Sequence, residues 1–138
     1  MKKITFLFLV LSSLQLIGQN TNTNIEILTH TLAFEDSIII ENITLEFSKL
    51  SPDSRCPKEV MCIRAGEAIA TVTIYIDNVL KKTLDLTFYP HGVSEELSKF
   101  LSSEGILLGA FELLPYPKAD RNQINANYLI RFNQEIIN

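Results

Sequence analysis

Cys56 and Cys62 are the only cysteines of the chain, and five residues separate them in Asp53-Ser54-Arg55-Cys56-Pro57-Lys58-Glu59-Val60-Met61-Cys62-Ile63-Arg64-Ala65-Gly66-Glu67-Ala68. Two thiols so placed can oxidise to a disulfide that closes a seven-residue ring. Alternatively they stay reduced and hold a soft metal, with Met61 as a third sulfur ligand, because thiolate and thioether groups suit copper(I). The separation is not the two-residue one of zinc or thioredoxin-like motifs, and no histidine is close in sequence. His30 and His91 read as surface or loop residues. In an exported protein the disulfide is the expected state. A ring this small restrains the unfolded chain by only about 2 kcal/mol, so its work is local shaping, and Pro57 stiffens it further by fixing one φ.

Charged residues flank the ring on both sides. Asp53, Arg55, Arg64 and Glu67 are the candidate binding residues, a polar patch on a rigid protrusion. The structural alternative has Asp53 accepting backbone amides in an Asx-type turn and Arg55 pairing with Glu67 across the loop base. Gly66 is expected to supply a positive φ or a bulge where the chain enters the next strand.

Other chemical patterns fail on inspection. Ser94 in Gly92-Val93-Ser94-Glu95-Glu96 is placed like a nucleophile elbow but lacks the second glycine, so it reads as a helix N-cap. Asp120, Asn122, Asn125 and Asn127 resemble a calcium loop, yet Arg131 falls where the bidentate acid belongs, which leaves a polar loop. Glu35-Asp36 and Glu95-Glu96 read as solvated surface. No catalytic residue set, metal set or cofactor motif is complete, and the expected function is not enzymatic.

The elements that position the ring are mostly strands. Apolar residues recur with period two at Ile25 and Ile27; Ile38 and Ile40; Ile43, Leu45 and Phe47; Ala68, Ala70, Val72, Ile74 and Ile76; and Leu80, Leu84, Leu86 and Phe88. Each run reads as a strand with one face inward. Glu41-Asn42 and Asp77-Asn78 read as hairpin turns, because Asn tolerates positive φ. Leu97, Phe100 and Leu101 follow at helical spacing and predict one short helix. Ile106 to Leu114 is a strand stopped by Pro115-Tyr116-Pro117, and Tyr128, Ile130 and Phe132 mark a closing strand. About seven strands with almost no helix predict an all-β, antiparallel β-sandwich of immunoglobulin-like character, with a small barrel as the alternative.

Met1-Lys2-Lys3 followed by an uncharged apolar run to Ile17 and small Gly18 reads as a bacterial signal peptide over residues 1–18. The run is shorter than the ~20 residues that cross a bilayer, so the mature protein is not expected to span a membrane. Removing it takes away Lys2 and Lys3 and no acid, which moves the net charge from −4 to −6 over 120 residues. A mildly acidic chain with scattered Lys58, Lys81 and Lys82 has no footprint for nucleic acid. Residues 19–24 read as a disordered polar leader and residues 25–138 as one β-sandwich domain, periplasmic or secreted.

Asp53-Ser54-Arg55-Cys56-Pro57, Val60, Cys62 and Ala65-Gly66-Glu67-Ala68 resemble the signature of an uncharacterised family of small exported bacterial β-rich proteins. Ile38 to Leu50, Pro115-Tyr116-Pro117 and Tyr128 are similar to the same layout. The resemblance implies a β-rich domain and no particular activity. The chain departs at Arg64, where that family often carries tryptophan, so a tryptophan contact surface would be missing here. The reading as a whole is a binding or structural domain whose disulfide-shaped loop meets a protein or envelope component.

Overall fold

The computed structural model of the chain describes residues 24–119 and 127–137. The signal-peptide reading of residues 1–18, the leader up to residue 23 and the polar loop at Asp120, Asn122 and Asn125 lie outside the described residues. Eight strands and one helix follow in the order β1 (Ile25–Ala33), β2 (Ser37–Ile40), β3 (Ile43–Leu50), β4 (Ala68–Ile76), β5 (Val79–Tyr89), β6 (Gly92–Val93), α1 (Glu96–Ser103), β7 (Leu107–Leu114) and β8 (Leu129–Ile137). They form two antiparallel sheets, β1-β8-β7 and β2-β3-β4-β5-β6, packed as the expected all-β sandwich. The eighth strand is β6, two residues too short to leave a periodic signal.

Alternation of apolar and polar residues decides which faces meet. Ile43, Leu45 and Phe47 of β3, Ala68 to Ile74 of β4 at every second position, and Leu84, Leu86 and Phe88 of β5 are buried. They pack against Leu32, Leu108, Leu113, Ile130 and Phe132 of the other sheet. The helix adds Leu97 and Leu101 and lies against β5 and β7. The turn Asp77-Asn78 has positive φ at both residues, 50° and 63°, the conformation that matches strand twist in a two-residue hairpin. At Glu41-Asn42 the positive φ falls on Glu41 rather than on Asn42.

Three sequence expectations are corrected. Ile25 and Ile27 face outward, 57% and 59% exposed, because the inward phase of β1 is set by Leu32 and by the pairing of His30 with Phe132. Leu80 is also exposed: the β4–β5 register shifts between Ile74 and Tyr75, and the extra residue on β5 reverses the parity of everything before it. Ser94 is not the helix cap. Its Oγ accepts the Thr87 amide at 3.1 Å and its own amide donates to the Thr87 carbonyl at 2.9 Å, so it extends the β5–β6 pairing, while Glu95 occupies the cap position without a side-chain bond.

Phe47 is wholly buried and meets Phe34 edge-on with ring centroids 5.2 Å apart. Phe47→Ala is expected to cost about 3–5 kcal/mol, measured by chemical denaturation; a cost below ~1 kcal/mol would show that the sheets do not close on this ring.

Candidate functional site

The cysteine segment is the far end of the β3–β4 hairpin. Beyond Leu50, whose ladder partner is Ala70, the two arms keep touching: the Ser51 amide bonds to the Ile69 carbonyl, the Ser54 amide to the Glu67 carbonyl and the Cys56 amide to the Ala65 carbonyl, all at 2.8–3.0 Å. Ser54 Oγ donates to the Glu67 carbonyl and accepts the Glu67 amide. Gly66 sits inside this narrow ladder with φ 68°, as its place at the strand entry predicts. A Cβ there would fall 1.8 Å from the Ser54 carbonyl oxygen, so backbone contact excludes any side chain. At the tip Cys56 and Cys62 form the disulfide, with Cα atoms 6.0 Å apart.

Extended backbone points residues 53 and 55 to one side and residue 54 to the other. Asp53 and Arg55 turn inward, with side chains only 4% and 3% exposed. Among the described residues the Arg55 side chain makes four hydrogen bonds: Nε to Asp53 Oδ1 at 2.9 Å, Nη2 to Asp53 Oδ2 at 2.6 Å, Nη1 to the Leu113 carbonyl at 3.0 Å and Nη2 to the Pro115 carbonyl at 3.3 Å. Its guanidinium carbon lies 4.7 Å from the Tyr116 ring centroid. Asp53 Oδ1 also accepts the Arg55 amide, the expected Asx-type turn, and Asp53 Oδ2 accepts the Tyr128 hydroxyl at 3.3 Å. Burial first, and then the Asp53 charge, push the Tyr128 phenol above its ordinary value, so it remains a donor. No buried side-chain nitrogen or oxygen among the described residues lacks a partner.

The four candidate binding residues therefore divide. Asp53 and Arg55 are internal and tie the loop base to the end of β7 and to Tyr128, which precedes β8. Arg64 and Glu67 are exposed. The expected Arg55–Glu67 pair does not form, because Glu67 is matched to Ser54 and shares the outer face, whereas Asp53 stands two residues from Arg55 on the inner one.

Two adjoining hollows lie between this loop and the β5–β6 turn, and both are lined by Lys58, Pro90, His91 and Tyr116. The inner one, about 370 Å³, reaches Arg55, Phe88 and the β7 bulge at Ala110, where φ is 52° and the β7–β8 register shifts between Gly109 and Glu112. The outer one, about 540 Å³, is bounded by the disulfide itself and by Arg64. Tyr116 is fixed between them by its hydroxyl, which donates to the Cys56 carbonyl at 3.1 Å, and Lys58 Nζ lies 5.0 Å from its ring centroid. Lys58, His91 and Tyr116 escaped sequence reasoning because they come from three separate segments. Only Pro115-Tyr116-Pro117 carries a sequence signal, and it is one for the end of a strand.

The ring also carries an exposed apolar tip. Met61 and Ile63 are 100% and 104% exposed, and Val60 is nearly half exposed. With both thiolates joined, the sulfur set Cys56, Met61 and Cys62 offers a metal only the Met61 thioether in this form. No family model matches the chain, nor does any curated protein or solved structure.

Gly66→Ala is expected to destabilise the protein by about 3 kcal/mol or more and to weaken protection of the Cys56 amide from exchange, since the ladder must open to admit a methyl group. A stability within ~0.5 kcal/mol of the parent, measured by denaturation, would contradict the close approach at Ser54.

Proposed function

We propose that this chain is an exported, non-enzymatic binding domain that presents its disulfide-shaped loop to a protein or envelope component. One observation carries the reading: Met61 inside the covalent ring and Ile63 just beyond it stand fully in water, next to an open hollow, on a loop whose base is clamped by a buried ion pair. Large apolar side chains gain nothing for folding in that position, and rigid projecting apolar groups are what a partner buries with little ordering cost. The disulfide accords with an oxidising compartment, and the apolar N-terminal run with an export signal. Among the described residues no helix is long and apolar enough to cross a membrane. Ser94, which sits in a nucleophile-like sequence pattern, accepts the Thr87 amide at Oγ within the β5–β6 pairing, which accords with a structural part for it. The copper alternative requires two free thiolates at Cys56 and Cys62, and the S–S bond favours the binding reading over it.

The double variant Met61→Asp/Ile63→Asp is expected to keep its stability within about 0.5 kcal/mol, because both sites are solvated. It is also expected to lose the partner that the parent protein captures by cross-linking in envelope fractions. Unchanged capture by the variant would overturn the reading.

A further inference from the structure

We propose that the hollow between the stapled loop and the β5–β6 turn takes a carboxylate side chain from an extended segment of a partner protein, whose neighbouring apolar side chain lies on Met61 and Ile63. The proposal rests on the loop being a binding surface and names the chemistry of what it binds.

Charge is the first ground. The lining of the 540 Å³ hollow includes Lys58, Arg64 and His91 and no carboxylate, on a chain with a net charge of −4. Glu59 and Glu67, the acids nearest in sequence, do not line it. Neither Lys58 nor Arg64 joins an ion pair among the described residues, where the pairs are Asp53–Arg55, Glu95–Lys99 and Glu112–Arg131. Arg55, the other cation nearby, is consumed by Asp53 and two carbonyls. Two uncompensated cations therefore face one recess, and an anion entering it meets them without first displacing a carboxylate.

Position is the second ground. Lys58 Nζ lies over the Tyr116 ring, and the Tyr116 hydroxyl is bonded to the Cys56 carbonyl, so this exposed ammonium is drawn toward the wall of the hollow. Lys58 is inside the covalent ring and Arg64 is two residues beyond it, which limits how far either can part from the other.

The apolar tip then separates the ligand classes. A sugar acid would gain from free aromatic faces, whereas the Tyr116 ring in the hollow already has the Arg55 and Lys58 cations over it and the tip residues Val60, Met61 and Ile63 are aliphatic or thioether groups that bury another apolar side chain. An anionic bilayer is a broad charged surface that would face the acidic chain around the recess as well as the two cations, whereas one carboxylate side chain meets the recess alone. A peptide that places an acid beside an apolar residue satisfies the recess and the tip together.

The test is a titration of the oxidised, isotope-labelled protein with N-acetylated, C-amidated Glu-Leu-Glu-Leu and with Gln-Leu-Gln-Leu, followed by amide chemical shifts. Glu-Leu-Glu-Leu is expected to move the Lys58, Arg64 and His91 amides saturably, and Gln-Leu-Gln-Leu to bind roughly tenfold more weakly, as loss of two charged contacts implies. The variant Lys58→Glu/Arg64→Glu is expected to lose at least that factor for Glu-Leu-Glu-Leu, because it replaces the two attractions with repulsion. Equal binding of the two peptides, saturable shifts confined to other regions, or no saturable shift with Glu-Leu-Glu-Leu would each overturn the proposal, and the peptide comparison does so on the parent protein without any variant. Partner capture separates the two levels. If Met61→Asp/Ile63→Asp loses the partner and Lys58→Glu/Arg64→Glu retains it, the loop is a binding surface and the carboxylate site is wrong; if both variants retain it, both readings fall.

Discussion

The bidentate contact between Asp53 and Arg55 is the interaction on which the arrangement of this protein depends. Two opposite charges are withdrawn from water together, a step that costs several kcal/mol per ion and is recovered only if every remaining donor and acceptor is met. Here that completion comes from distant parts of the chain: carbonyls of Leu113 and Pro115, the ring of Tyr116 and the hydroxyl of Tyr128. A loop between β3 and β4 is thereby fastened to the end of β7, which is hydrogen-bonded along one side only, to β8. Loss of either charge would leave the other stranded, so the pair behaves as a unit and fixes where the loop can lie.

The disulfide has a separate task. Its ring is too small to add much to overall stability. What it does is hold residues 57–61 in one shape above a base that the ion pair and the Ser54–Glu67 ladder have already placed. The inner residues of the segment are spent on structure, and the outer ones are left exposed to solvent. Asp53, Arg55 and Gly66 belong to the first group; Lys58, Met61, Ile63 and Arg64 belong to the second. A motif that reads as a recognition patch when written in one line is in fact two sides of one loop.

That division also explains what could be read from residue order. Period-two burial in β3 and β4, the Asp77-Asn78 turn, the ring and the positive φ of Gly66 all follow from local rules, because neighbouring residues alone determine them. Parity does not. Ile25, Ile27 and Leu80 are apolar and alternate correctly, yet the phase of β1 is chosen by Leu32 and Phe132 and that of early β5 by a bulge opposite Ile74 and Tyr75. Residue order points Arg55 to the wrong acid for a similar reason: Glu67 is across the ladder, matched to Ser54, and shares the face that Arg55 does not use. The hollow could not be anticipated at all, since Lys58, His91 and Tyr116 meet only after both sheets have formed.

The central claim, that the buried Asp53–Arg55 pair holds the stapled loop in place, is tested most directly by a double-mutant cycle with Asp53→Leu, Arg55→Leu and both together, read by chemical denaturation. Each single change is predicted to cost about 3–5 kcal/mol, and the double change markedly less than their sum, because removing both charges leaves neither one buried alone. Two single costs below ~1 kcal/mol that add within about 0.5 kcal/mol would contradict it.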